Sequence, residues 1–169
     1  MLEIGDEEFF QEIFKNPSLM KFSGGALSEE AVKLRFRSIL KHGQSEIKEK
    51  LYWLIDDSEE NQKLGFIGFN CHNILDTNTR EIGIVLSEEA IASKSKSYAL
   101  NSFCATIDFG FNVLGLNKIF CRILRENIAA QKLVLKCGMS FKEIPKGYLE
   151  LPGGKANDFL YADILAKKL

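Results

Sequence analysis

Apolar positions along the chain follow two periods, and blocks of one give way to blocks of the other. Phe9, Phe10, Ile13 and Phe14 recur at helical spacing behind Asp6, a residue suited to a cap, and Asn16-Pro17 closes that helix. Gly24-Gly25 is a flexible joint. Ser28, followed by Glu29 and Glu30, starts a second helix to about Lys41, with Ala31, Leu34, Phe36, Ile39 and Leu40 apolar. The period then shortens. Leu51 to Ile55 and Leu64 to Asn70 read as strands separated by the polar turn Asp56 to Gln62, and Asp76 to Asn78 makes a further turn.

The centre of the pattern is Glu81 to Leu114. Ile82, Ile84, Val85 and Leu86 predict a buried strand, Ser93 to Ser97 a basic, serine-rich loop, and Leu100, Phe103, Cys104, Ile107, Phe111 and Leu114 one face of a long helix. Ile119 to Leu124 is a strand again, parallel to the one at Ile82 because a full helix crosses between them. Asn127 caps a helix from about Ile128 to Cys137 with Gly138 as its stop, and Phe141 to Leu149 and Phe159 to Leu165 are the last two strands, joined at Pro152-Gly153-Gly154. Two helices, three strands, helix, strand, helix and two strands make an α/β domain; no repeat or linker divides residues 1–169.

Composition narrows the function classes. With 46% hydrophobic residues in 169, the chain has material for a full core, and it is neither disordered nor membrane-spanning. A formal charge of -1 supplies no global basic field for nucleic acid, so any anion site must be local. The acidic N-terminus has no basic region followed by an apolar run, which points to the cytoplasm. Cys71, Cys104, Cys121 and Cys137 lack metal-site spacing and read as small core residues; His42 and His72 have no nucleophile setting beside them.

The local anion site is the loop at 93–97. Amides at a helix N-terminus lack internal partners and sit at the positive end of the macrodipole, and Lys94 and Lys96 add charge, so the loop suits a phosphate. A solvated basic turn capped by Ser97 accounts for the same residues.

Several segments in order carry a resemblance. They are Glu81-Ile82-Gly83-Ile84-Val85-Leu86, Lys94-Ser95-Lys96-Ser97-Tyr98-Ala99, Leu114-Gly115-Leu116-Asn117-Lys118-Ile119, Asn127-Ile128-Ala129-Ala130-Gln131 and Lys136-Cys137-Gly138-Met139. Together they resemble the GNAT superfamily of acetyl-CoA-dependent N-acetyltransferases. With Asn16-Pro17 to Phe22 and Leu64 to Gly68, they look most like its ribosomal-protein N-terminal acetyltransferase branch. The resemblance implies a mixed central sheet split in a V between the strands at 81–86 and 118–124, flanked by about four helices, with acetyl-CoA in the opening and no metal.

It also implies site residues. Main-chain donors near Val85 and Leu86 would receive the thioester carbonyl, where withdrawal of one such donor costs roughly 3 kcal/mol. The pyrophosphate would lie on Lys94, Ser95, Lys96, Ser97, Tyr98 and Ala99, the family's loop pattern falling on Lys94, Ser97 and Ala99 with Ser97 in a glycine position. Glu81 would act as the base and equally serves as a structural partner for a neighbouring strand; Asn127 would bond the pantetheine arm and also cap its helix. The family's leaving-group acid is missing, because the tyrosine and serine positions hold Val134 and Ala130. Tyr148, Tyr161, water or unaided departure of a thiolate with a pKa of about 8.5 are the alternatives.

These residues imply acetyl transfer to a primary amine: a protein N-terminus, an amino sugar or a small amine. A silent CoA-binding module or an interaction domain with the same fold are the alternatives. Only Met1 to Gly5 precede the first helix where the branch has a longer strand, and an uncovered edge invites pairing with a second copy. Lys94→Ala is expected to weaken CoA more than dephosphorylated pantetheine; equal losses in calorimetric titrations would move the phosphates elsewhere.

Overall fold

The computed structural model describes residues 1–44, 49–72, 76, 78–93, 96–145 and 158–166. Lys94, Ser95, Tyr148 and the 152–154 turn lie outside them. Six strands form one sheet: β1 (Lys50–Asp57), β2 (Gln62–Asn70), β3 (Thr79–Leu86), β4 (Lys118–Leu124), β5 (Ser140–Lys142) and β6 (Phe159–Leu165). The spatial order is β1-β2-β3-β4-β6-β5. Pairing is antiparallel except for β3 with β4, which is parallel, as the crossing helix requires. The strand expected from Phe141 to Leu149 is observed as the three residues of β5 at the sheet edge, and 146–149 fall outside the described residues.

Four helices of nine or more residues flank the sheet: α1 (Glu7–Lys15), α3 (Glu29–Gly43), α5 (Tyr98–Asn112) and α6 (Ile128–Lys136). Two short ones join them, α2 (Pro17–Met20) and α4 (Glu88–Ala92). Side chains cap α2, α3, α4 and α6. The Asn16 side chain accepts from the Ser18 and Leu19 amides, so Asn16-Pro17 opens α2 as well as closing α1. Ser87 accepts from the Ala90 amide and starts α4. Asp6 precedes α1 without capping it by its side chain; its carboxylate instead accepts from the Glu3 amide at 3.0 Å and from Lys63 Nζ at 3.0 Å.

The two sheet faces bury separate clusters. On one, α1 and α3 set Phe10, Ile13, Phe14, Val32 and Phe36 against Tyr52 and Phe66. On the other, α5 and α6 set Phe103, Ile107 and Val134 against Ile67, Phe69, Ile82, Ile119 and Ile123. Strand alternation divides β3 between them. Ile82, Ile84 and Leu86 point to the α5 face, whereas Val85 packs with the α1 and α3 cluster, and Glu81 and Gly83 share its parity. Of the cysteines, Cys121 is core; Cys104 and Cys137 are only half-buried and meet across α5 and α6 with sulfurs 3.1 Å apart. Residues 1–3 touch the outer edge of β1 through the Leu2 amide, which donates to the Tyr52 carbonyl at 2.8 Å. Among the described residues, no helix is long and apolar enough to cross a membrane.

Phe10 is fully buried, stacked on Phe14 at 4.1 Å between ring centres and set against Phe36 and Phe66 at 5.2 Å each. Phe10→Ala is expected to cost about 3–5 kcal/mol of stability, read as a lower urea midpoint with an unchanged slope.

Candidate active site

The parallel pairing of β3 with β4 lasts for three registers, Thr79 with Lys118, Arg80 with Ile119 and Glu81 with Phe120. Both strands continue, to Leu86 and Leu124, but apart. β3 remains bonded to β2 over the same stretch, from Glu81 opposite Asn70 to Leu86 opposite Gly65. The Ser87 amide donates to the Leu64 carbonyl at 2.8 Å, and antiparallel amides alternate in direction. Val85 and Gly83 therefore turn their amides toward β2, while Leu86 and Ile84 turn theirs into the split. The two positions expected as donors, Val85 and Leu86, thus turn their amides to opposite sides, Val85 toward β2 and Leu86 into the split.

The split opens a cleft of about 480 Å³ that reaches through the sheet. Its lining includes Phe103, Leu133 and Val134 from the α5 and α6 face, and Phe14, Tyr52 and Phe66 from the α1 and α3 face. A molecule entering from one side can meet a second entering from the other at the β3 backbone.

The Glu81 carboxylate lies in the cleft, 13% exposed, and both its oxygens are engaged. Arg122 donates from Nε to Oε1 at 2.7 Å and from Nη2 to Oε2 at 3.1 Å; His72 Nε2 lies 2.7 Å from Oε2. Burial pushes the Glu81 carboxyl up, and the hydrogen bonds and charges of His72 and Arg122 outweigh it and hold the group below the usual carboxylate range. The His72 ring sits 6.2 Å from that of Phe120, and Tyr52 Oη and the Asn70 side chain bond to each other beside Glu81.

The loop before α5 is held from the β1–β2 hairpin. Lys96 Nζ pairs with Asp57 at 3.0 Å and with Glu60, and Tyr98 donates from Oη to Asp57 Oδ2 at 2.5 Å. The bonds from Tyr98 and Lys96, with the amides of Glu60 and Glu59, hold the Asp57 carboxyl far below its ordinary range. Ser97 adopts a left-handed conformation, φ 51° and ψ 30°, and makes no side-chain cap bond. The Ser97 cap is thereby corrected: Ser97 occupies the backbone conformation that glycine favours, and its side chain does not cap α5. Asn127 lines the cleft, and its Oδ1 accepts from the Ala130 amide at 3.1 Å.

Residues 1–140 match the acetyltransferase (GNAT) domain family. The chain belongs to the GNAT acetyltransferases. Acetyl-CoA is the co-substrate of this family. A search of curated proteins finds no match. Solved structures share the fold: spermidine N-acetyltransferase from Vibrio cholerae in complex with CoA and spermine is 21% identical over 97% of this chain and 92% of its own, with a TM-score of 0.76. An acetyltransferase from Agrobacterium tumefaciens is 18% identical over 98% and 88%, TM-score 0.78. A GNAT-family acetyltransferase from Bacillus anthracis is 24% identical over 97% and 91%, TM-score 0.70. The family match is to the domain as a whole and says nothing of the ribosomal-protein branch.

Glu81, Asn127 and the split stretch of β3 line one opening. Val134 and Ala130 line it where the family's acids were sought. Tyr161, an alternative acid, is buried, donates to Asp163 Oδ2 at 3.3 Å and does not line the cleft. The sequence sets His72 aside for want of a neighbouring nucleophile and does not single out Arg122. The signal for Arg122 is positional: it lies two residues past Phe120, the Glu81 partner, on the same face of β4, within diagonal reach of a long side chain. His72 carries no comparable signal.

Removing the Glu81 charge leaves Arg122 and His72 buried without it. Glu81→Gln is expected to lose about 3–5 kcal/mol by urea denaturation. Because the folded carboxyl titrates below its ordinary value, this stabilisation is complete above about pH 4–5 and fades as the pH falls through the folded value. The gap between wild type and variant should therefore narrow in acid.

Proposed function

We propose that the chain transfers the acetyl group of acetyl-CoA to a primary amine by direct attack in a ternary complex. The observation that carries this reading is the cleft through the sheet, lined by Ile84 and by the Glu81–His72 pair, with the Leu86 amide on the same side of β3 as that of Ile84. The crystallised Vibrio cholerae relative, with CoA and spermine bound, supports an amine as acceptor.

Acetyl-CoA supplies the activated thioester. The Ile84 and Leu86 amides receive the negative charge that develops on the carbonyl oxygen. The amine enters from the α1 and α3 side. An alkyl ammonium has a pKa of about 8 to 10 and must shed a proton before attack. Glu81, bonded to His72 Nε2, holds the imidazole so that Nδ1 accepts that proton, directly or through water, and Arg122 keeps Glu81 ionised. The carbon–nitrogen bond forms, the carbon–sulfur bond breaks, and the electron pair leaves on sulfur, tolerable for a thiolate. Lys94 to Ala99 hold the pyrophosphate and Asn127 the pantetheine. The free cysteines fit a reducing, cytoplasmic setting.

A silent CoA-binding module is favoured by one observation: Val134 and Ala130 both face the cleft without an acid. Titration calorimetry with acetyl-CoA, then thiol release with an amine panel, separates the readings. One site per chain with turnover is the expected outcome; binding without turnover would favour the module, and no binding at millimolar ligand would sink both. In folded Glu81→Gln, turnover is expected to fall about a hundredfold with acetyl-CoA affinity little changed. An unchanged rate would remove Glu81 from the proton path.

A further inference from the structure

The acceptor half of the cleft carries one charge that neither the fold nor acetyl transfer uses. Arg35, on α3, is half-buried in the lining, with its guanidinium carbon 4.8 Å from the centre of the Phe14 ring. Among the described residues it forms no ion pair with a carboxylate. Its neighbour is another cation: Lys50 donates to Ser38 Oγ at 2.8 Å, and burial together with the Arg35 charge lowers the Lys50 pKa. Glu81 is the one carboxylate among the described lining residues, and Arg122 and His72 already engage it. Phe14 lies against Arg35, and Phe22, Leu27 and Phe66 line the same cleft.

A guanidinium withdrawn from water without a counterion is costly, and its planar fork matches a carboxylate in two parallel bonds. Stacking on Phe14 fixes the plane of that fork before a ligand arrives. We propose that the acceptor is a primary amine that carries its own carboxylate: Arg35 holds the carboxylate, and the apolar body between the two groups lies on Phe14, Phe22 and Leu27. This rests on the acetyl-transfer reading above. The same cations repel a polycationic acceptor, since no carboxylate of the described lining is left to receive its second ammonium.

The test uses three primary-amine acceptors on one five-carbon chain, ending in a carboxylate, a methyl group or a second amine: 5-aminopentanoate, pentylamine and 1,5-diaminopentane, assayed by thiol release with acetyl-CoA. The kcat/KM for 5-aminopentanoate is expected to exceed that for pentylamine about tenfold or more, as a charge-assisted pair requires. The diamine should be slowest. Arg35→Gln should bring the first ratio near one, chiefly through KM, and Arg35→Lys should restore part of it. Peptides beginning Ala-Glu and Ala-Gln, run alongside, tell whether the carboxylate belongs to a small molecule or to a chain terminus; a preference in either pair supports the site. Turnover of pentylamine or the diamine at or above the 5-aminopentanoate rate, with no preference for Ala-Glu, would overturn the carboxylate site and leave the transferase standing. Calorimetry of the three compounds on the CoA-loaded chain covers the converse. Tighter binding of 5-aminopentanoate without any turnover would sink the transferase and keep the site, and binding of none would sink both.

Discussion

The parting of β3 from β4 after Glu81 and Phe120 is the constraint on which the rest of the structure depends. Backbone groups inside a sheet are normally spent on the ladder, and a strand interior offers nothing to a ligand. Here β3 stays bonded to β2 while its other side is released over five residues, Ile82 to Leu86. The amides of Ile84 and Leu86 are thus held rigidly by one neighbour and left unpaired by the other. Rigid, unspent donors are what a developing negative charge needs, since they cost no reorganisation when it appears. The same parting makes the cleft and admits ligands from both faces.

Keeping strands apart in a core has a cost, and the side chains around the opening show how it is met. The large aromatic and aliphatic clusters lie on opposite faces of the sheet, and each is covered by its own pair of helices. At the vertex, where the strands last touch, Arg122 reaches from β4 to Glu81 on β3 with two bonds. A buried ion pair is weak support for stability by itself, because desolvation offsets most of the attraction. Its geometry, however, is specific: a bidentate fork fixes the Glu81 carboxylate, and the carboxylate fixes His72. The pair orients a site more than it strengthens a fold.

The loop before α5 shows a similar division of labour. Its lysine at 96 is turned toward the acidic β1–β2 hairpin, with Tyr98 bonded to the same Asp57. That tether explains how Ser97 persists in a left-handed conformation without glycine's freedom, since strain of this kind survives only where the surroundings over-determine it. Lys96 is thereby committed to Asp57 and Glu60.

Much of this was legible in the chain. Period and punctuation placed β3, α5, β4 and α6 close to their observed bounds, because an apolar face of period two or near 3.6 has to be buried whatever the fold. The parallel pairing followed from the crossing helix. Glu81 and Asn127, marked by single positions in ordered segments, both line the cleft. What the sequence could not decide was contact across long separations. His72 meets Glu81 and Arg122 meets it from 41 residues away; Lys96 is drawn off by a hairpin 36 and 39 residues earlier; and Arg35 comes to the cleft on a helix that precedes the whole sheet. Local pattern reports which face of an element is buried. Which charges then meet in the space between elements depends on register, strand parity and the direction of long side chains, and only the assembled sheet sets those.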